Sequence, residues 1–335
     1  MVRLLVPLLG LGCCSPVMAD GQPVLPDRDR IRIAEAHRLF DALGDRVWPG
    51  WDKAPFAILL VTPDHEFLIG HPAPSDDFES LGEDPVLKKS VLVRKRTYPT
   101  GYLATFPAVG GVPTIVVGQA ENTSAETSVP WLVTVLHEHF HQMQYSRPGY
   151  YAGVDALDLS GGDESGMWML DYAFPYDDPE VAAHFADLSK ALLDALRATE
   201  GPDFERRFAA YLEARVGLRS ILEAADARYL AFQLWQEGIA RYTEIRLAEL
   251  ASESYEPGPE LRNLSDFTSF EDVARSLRDR IDSELESARL GQARRTAFYA
   301  VGAAEGLLLD RARPGWQERY FDQAFTLDGH FGERE

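Results

Sequence analysis

The stretch VLHEHFHQMQ, Val135 to Gln144, carries three of the chain's eight histidines within five residues. Two of them, His137 and His141, enclose a glutamate, Glu138, in the order H-E-x-x-H. On an α-helix, residues four apart share a face, so the two imidazoles converge and can bind one metal ion. Glu138 stands about 100° around the same helix. From there it reaches a metal-activated water without taking a coordination position, and it can accept that water's proton. His139 faces away from the pair and is not expected to be a ligand. Zinc-assisted hydrolysis is the chemistry that these residue types and spacings suggest.

A helix must position the pair, and Ser128 to Tyr145 reads as one. Ser128 is an expected N-cap, and Pro130 falls in the first turn, where a missing N–H costs little. Val129, Leu132, Val133, Leu136, Phe140 and Met143 give a broad apolar face, so the helix should be buried. Histidines and a glutamate on a buried helix need partners.

A catalytic zinc takes three protein ligands and keeps one position open. Two windows offer the third. LWQEGIARYTEI contains Glu237, 96 positions beyond His141, and GGDESGMWMLDY contains Glu164, 23 positions beyond. Each also has an ordinary reading. Glu237 has Arg241 at i+4, a helix ion pair worth about 0.3–0.5 kcal/mol. Glu164 reads as a solvated loop carboxylate.

With these residues in view, the sequence resembles the gluzincin metallopeptidases. HEHFH followed by WQEGIARYTE is similar to aminopeptidase N relatives, in which a W-x-x-E-G-x-A-x-Y helix supplies the third ligand. Trp235 departs from that pattern by one position, while Glu237, Gly238, Ala240 and Tyr242 match it. The resemblance implies a zincin-like fold and one zinc ion per chain. It implies His137, His141 and Glu237 as ligands, Glu138 as general base, and a peptide or protein as substrate. The likeness covers two short windows. The gap between them is longer than in those aminopeptidases, so the intervening chain must leave the site as extra helices and return. Thermolysin-like members place their glutamate about twenty residues on, which keeps Glu164 in view. No G-x-M-E-N sequence occurs in the strand region, so the likeness does not extend to amino-terminal specificity.

Zincins set a sheet edge beside the metal helix, where extended peptides pair. GGVPTIVVG, Gly110 to Gly118, stands in the right order to be that strand, or equally a core strand. Gluzincins also draw a hydrogen-bond donor for the tetrahedral oxyanion from a later helix. Tyr299 in AFYAVGAAEG is the candidate here, with small residues around it for close packing, and Tyr242 is second. Either tyrosine could instead be packed in the core.

Periodicity supplies the surrounding elements. Arg30 to Leu43 reads as a helix ending at Gly44. FAILLVT, HEFLIG, SVLVRKR and PTIVVG read as strands. Asp178-Pro179 begins a helix, Gly201-Pro202 breaks it, and Leu218 to Leu250 reads as a long bent helix. Ser269 with Asp272 resembles a capping box, and a last helix runs from about Gln292 to Asp310. The expected class is α+β: a small mixed sheet in residues 20–127, then a mainly helical part in residues 128–335 that carries the metal site, within one continuous domain.

Residues 1–19 read as an export signal, with Arg3, an apolar run from Leu4 to Gly12, and small residues before Asp20. The protein is therefore expected to be periplasmic or secreted. Both cysteines, Cys13 and Cys14, lie in that segment, so the processed chain would have no disulfide and no thiolate ligand. A lipid-modified cysteine is the competing reading, and Gly10-Leu11-Gly12 fits its cleavage box poorly. The 335 residues are 45% hydrophobic and 26% charged, as in globular proteins. A net charge of −20 argues against nucleic acid and anionic lipid surfaces as partners. No later segment is long and apolar enough to cross a bilayer. Two other classes share these features: a non-catalytic metal-binding module, against which Glu138 argues, and a helical scaffold with a chance motif.

Overall fold

The computed structural model describes residues 22–332. The expected export signal and both cysteines lie outside them. Among the described residues the chain is α+β, a six-stranded mixed sheet with helices.

The strands are β1 (Ile58–Val61), β2 (His65–Ile69), β3 (Glu79–Asp84), β4 (Lys89–Lys95), β5 (Leu103–Val109) and β6 (Val112–Gly118). Their order is β3-β4-β2-β1-β6-β5, with only β1 and β6 parallel. Side chains alternate across the sheet. Ile58, Leu60, Ile115 and Val117 enter the main core, while Leu59, Val61, Leu68 and Val116 join Phe78 and Val109 in a smaller cluster on the other face. The β5–β6 hairpin turns at Gly110 and Gly111, both with positive φ (55° and 72°), the geometry of a tight two-residue hairpin loop.

Among the described residues, eight helices have ten or more residues: α1 (Asp27–Val47), α2 (Ser128–Tyr145), α3 (Pro179–Leu196), α4 (Pro202–Ile221), α5 (Ala224–Gln233), α6 (Ile239–Ser254), α7 (Phe270–Ser287) and α8 (Thr296–Ala312). Helix α2 lies between the sheet and the helical half, packing on β5 and β6 on one side and on α1 and α6 on the other. The Gln142 side chain donates to the carbonyls of Ala57 (2.9 Å) and Pro113 (2.8 Å), and Trp131 donates to Gly118 (2.8 Å). One continuous core runs from Ile33 of α1 through Ile58 and Leu136 to Leu308 of α8. None of the described helices is long and apolar enough to cross a membrane.

Several expectations change. Gly44 does not end α1. It lies inside the helix under Phe40, whose ring would meet a Cβ there at 2.7 Å. Ser128 is the first residue of α2, not its cap. Its hydroxyl donates to Asp266 (2.8 Å) and accepts from the buried Arg32 (3.0 Å), pinning the start of α2 to α1. The long segment from Leu218 breaks at Leu222, and the stretch from Ala224 to Leu250 is not uniformly α-helical. Asp178 and Ser269 cap α3 and α7 as expected, accepting from Val181 N and Asp272 N respectively.

Candidate metal centre

Helix α2 brings its two ligand candidates together. The Nε2 atoms of His137 and His141 lie 3.1 Å apart. The carboxylate that completes the group is Glu237, whose Oε2 is 3.6 Å from His141 Nε2 and 4.0 Å from His137 Nε2. These three residues are the group of ligating side chains among the described residues able to hold one ion. His137 is 7% exposed, His141 4% and Glu138 5%, so the pair and the candidate base are nearly dehydrated.

Local winding puts Glu237 there. Leu234–Gly238 forms a π-helical turn between α5 and α6. Such turns are rare and re-aim side chains relative to an α-helix. The turn packs directly on α8: a Cβ on Gly238 would lie 2.5 Å from the Gly302 Cα, and one on Gly302 would lie 2.6 Å from the Leu234 carbonyl. That backbone-to-backbone approach also brings Tyr299, one turn earlier on α8, against Glu237. The Glu237 charge and hydrogen bond, after burial itself, raise the Tyr299 phenol well above its usual value. Arg295 donates in turn to the Tyr299 oxygen.

Each imidazole is held from its outer side. Glu244 Oε1 is 2.7 Å from His137 Nδ1, and Gln144 Oε1 is 2.7 Å from His141 Nδ1. Oxygens behind the rings favour a proton on Nδ1, which with a metal bound would leave Nε2 facing inward, the arrangement of metal-bound histidines. The Gln144 amide also donates to the carbonyls of Trp235 (3.3 Å) and Gln236 (3.2 Å), and to Tyr320 (2.8 Å). It therefore joins α2 to the π turn directly.

The electrostatics favour a cation at this point. Burial alone would depress the His137 imidazole, but Glu244, with Glu138 and Glu237, draws it up to about 9. Burial would raise Glu237, but His141 and then His137 hold its carboxyl down at about 2. Glu138 Oε2 is buried with no hydrogen-bond partner in the protein. Two buried imidazoles and a partly exposed carboxylate, with an unpaired carboxylate oxygen beside them, fit a zinc ion.

Sequence relatives give no independent guide to this arrangement. No family model, no curated protein and no solved structure matches the chain.

The site opens into a cleft of about 1370 Å³, lined by His137, Glu138, His141, Glu237 and Tyr299 together with Leu103 to Pro107 of β5. Glu164 lines the cleft but is exposed in a loop and lies outside the ligand group. Arg241 pairs with Glu284 (2.8 Å), so the ordinary i+4 pair with Glu237 does not form. His139 stacks on Phe56 (3.9 Å between centroids) and bonds Gln142 (2.8 Å), in the core and away from the cleft. Burial holds its imidazole down at about 3.

Two readings that the sequence leaves open are decided here. Tyr242 is a core residue whose hydroxyl donates to Asp310 (2.8 Å), and it does not line the cleft. The strand from Val112 to Gly118 is interior, paired to β1 and β5, so it is not the edge beside the metal helix. That edge is β5, whose Thr105 hydroxyl donates to the backbone carbonyl of Glu138 (2.9 Å). Strand patterning passes over β5 because Pro107 interrupts it, a residue sheets tolerate at edges. Pattern alone also leaves Glu244 and Gln144 unassigned. A signal for both exists: Glu244 is seven residues after Glu237, two turns along one face, and Gln144 is three after His141.

Proposed function

We propose that this chain is an exported zinc-dependent peptidase with a zincin-like fold, of gluzincin type. The observation that carries the reading is the convergence of His137, His141 and Glu237 within 4.8 Å of one another, with Glu138 unpaired in the same cleft. A bound zinc ion supplies Lewis acidity toward a carbonyl oxygen and toward water.

The protein's own groups do the rest. Glu138 is the acid–base group: it takes a proton from the attacking water and returns it to the leaving amine. The Thr105 bond to the Glu138 carbonyl fixes that residue against β5. The open edge of β5, from Leu103 to Phe106 before Pro107 interrupts it, offers backbone donors and acceptors to an extended peptide. Tyr299 is a donor for the oxyanion of the tetrahedral species, its phenol held beside Glu237 and its oxygen engaged by Arg295. Glu244 and Gln144, behind the rings, favour the tautomer whose Nε2 faces inward.

The test is metal content of the purified processed protein by plasma mass spectrometry, beside a peptide-library cleavage screen. Near one zinc per chain and peptide cleavage are expected, with cleavage lost in Glu138→Gln while the metal stays. A protein that takes up no zinc when it is supplied would overturn the reading.

A further inference from the structure

Three arginines line the cleft: Arg241, Arg280 and Arg295. Two share one carboxylate, since Glu284 accepts from Arg241 (2.8 Å) and from Arg280 (2.8 Å). Arg295 is different. It is half-buried, no carboxylate among the described residues comes within ion-pairing distance of it, and its hydrogen bond goes to the neutral phenol of Tyr299. The carboxylate field it feels is that of Glu237, which is already turned toward His137 and His141. A guanidinium held in a cleft against a neutral oxygen keeps free donors for a planar anion, and carboxylate is the anion its fork matches. Exposed large apolar side chains, Tyr151, Met167 and Leu170, line the same cleft and would accept the apolar part of such a ligand.

We propose that Arg295 anchors a substrate carboxylate, and that this carboxylate is the C-terminus of a peptide, so that residues are removed from the carboxyl end. The anchor stands on the cleft itself, while its assignment to a peptide terminus rests on the peptidase reading. The Tyr299 phenol bonds the Arg295 guanidinium and feels the Glu237 charge, so the anchor stands beside the ligand group. In the reaction the water oxygen bonds to that carbonyl carbon and the C–N bond breaks. The proton taken by Glu138 passes to the departing amine, leaving a shortened peptide acid and a free amino acid.

The experiment has two arms on the zinc-loaded protein. In the first, binding of 3-phenylpropionate and of 3-phenylpropanamide is measured by calorimetry for wild type, Arg295→Gln and Arg295→Lys. Wild type should prefer the acid. Arg295→Gln should weaken it about tenfold or more, and Arg295→Lys should retain part of the preference. Equal affinity in wild type and Arg295→Gln, with zinc content and melting temperature unchanged, would overturn the anchor, because the acid would then be held by the metal alone. Should Arg295→Gln fail to fold, Arg295→Lys against the acid and the amide carries the comparison. In the second arm, a mixed hexapeptide pool with free C-termini is compared with the same pool amidated. Loss of single C-terminal residues from the free pool only supports the proposal. Cleavage confined to bonds beside Asp or Glu would keep the anchor and move the carboxylate to a side chain. Equal cleavage of both pools would overturn the terminal assignment. No cleavage of either pool would count against the peptidase reading and leave the first arm to decide the anchor.

Discussion

Gly238 and Gly302 meet backbone to backbone, and that contact sets where Glu237 stands. A Cβ on Gly238 would fall 2.5 Å from the Gly302 Cα, and no flexible side chain is available there to give way. Gly302→Ala should therefore separate the π turn from α8 and displace both Glu237 and Tyr299. The expected effect is a loss of about 1–3 kcal/mol in urea unfolding together with weaker zinc binding. A variant with unchanged metal affinity would mean that the turn holds its position without α8.

Glu237 and Glu138 should separate binding from chemistry. Glu237→Ala should abolish tight zinc binding. Glu138→Gln should keep one zinc per chain while turnover falls about 10²–10⁴-fold. Atomic spectrometry and kinetics on the same samples give both readings. Full zinc retention in Glu237→Ala would remove Glu237 from the ligand set.

Glu244 is the residue to change for an effect at a distance. It touches His137 Nδ1 and is not one of the group that could hold the ion. Glu244→Gln should lower zinc affinity about 10–100-fold with the fold intact by circular dichroism. Competition with a chromophoric chelator measures it, and an unchanged affinity would leave Glu244 as an ordinary ion-pair partner.

His37 should make the protein acid-sensitive apart from its metal. Burial against Phe56, then the charge of Lys89, holds its imidazole at about 4 rather than 6.5. The unfolded chain takes up that proton more readily. Its contribution is therefore complete above pH 6.5 and lost as pH falls from there through 4. With chelator present, so that metal loss does not enter, the urea midpoint of wild type should drop between pH 7 and pH 5. His37→Phe should flatten that drop, and an equal slope in the variant would exclude His37 as its source.

Much of this centre can be read from residue types alone. The H-E-x-x-H spacing places two imidazoles on one face whatever the fold, because i and i+4 coincide on any α-helix. The apolar positions of α2 also announce its burial. The third ligand is legible only as a choice, since no local rule says which distant segment returns to the site. The sequence leaves the cleft strand undecided for a related reason. The interior β6 has the stronger β-branched run, while the edge strand β5 carries a proline and weaker alternation. Burial strengthens a sequence signal, and a substrate-facing edge is the part left without it. Ser128 shows the same limit on a smaller scale, because its hydroxyl is claimed by Arg32 and Asp266 from outside its own helix.

The π turn has a consequence for the chain's length. Between Leu234 and Gly238 the helix accommodates residues that α-helical winding would not place in that register. Deleting Gln236 would let the segment rewind as α-helix, with α5 and α6 keeping their faces because the wide turn absorbs the added residue. Inside the turn, Trp235, docked on Tyr320, and Glu237, facing the histidines, would shift relative to each other. A single-codon deletion could thus leave the sheet and α2 standing while dismantling the third ligand. In this protein the count of residues is as much a part of the candidate metal site as their identity.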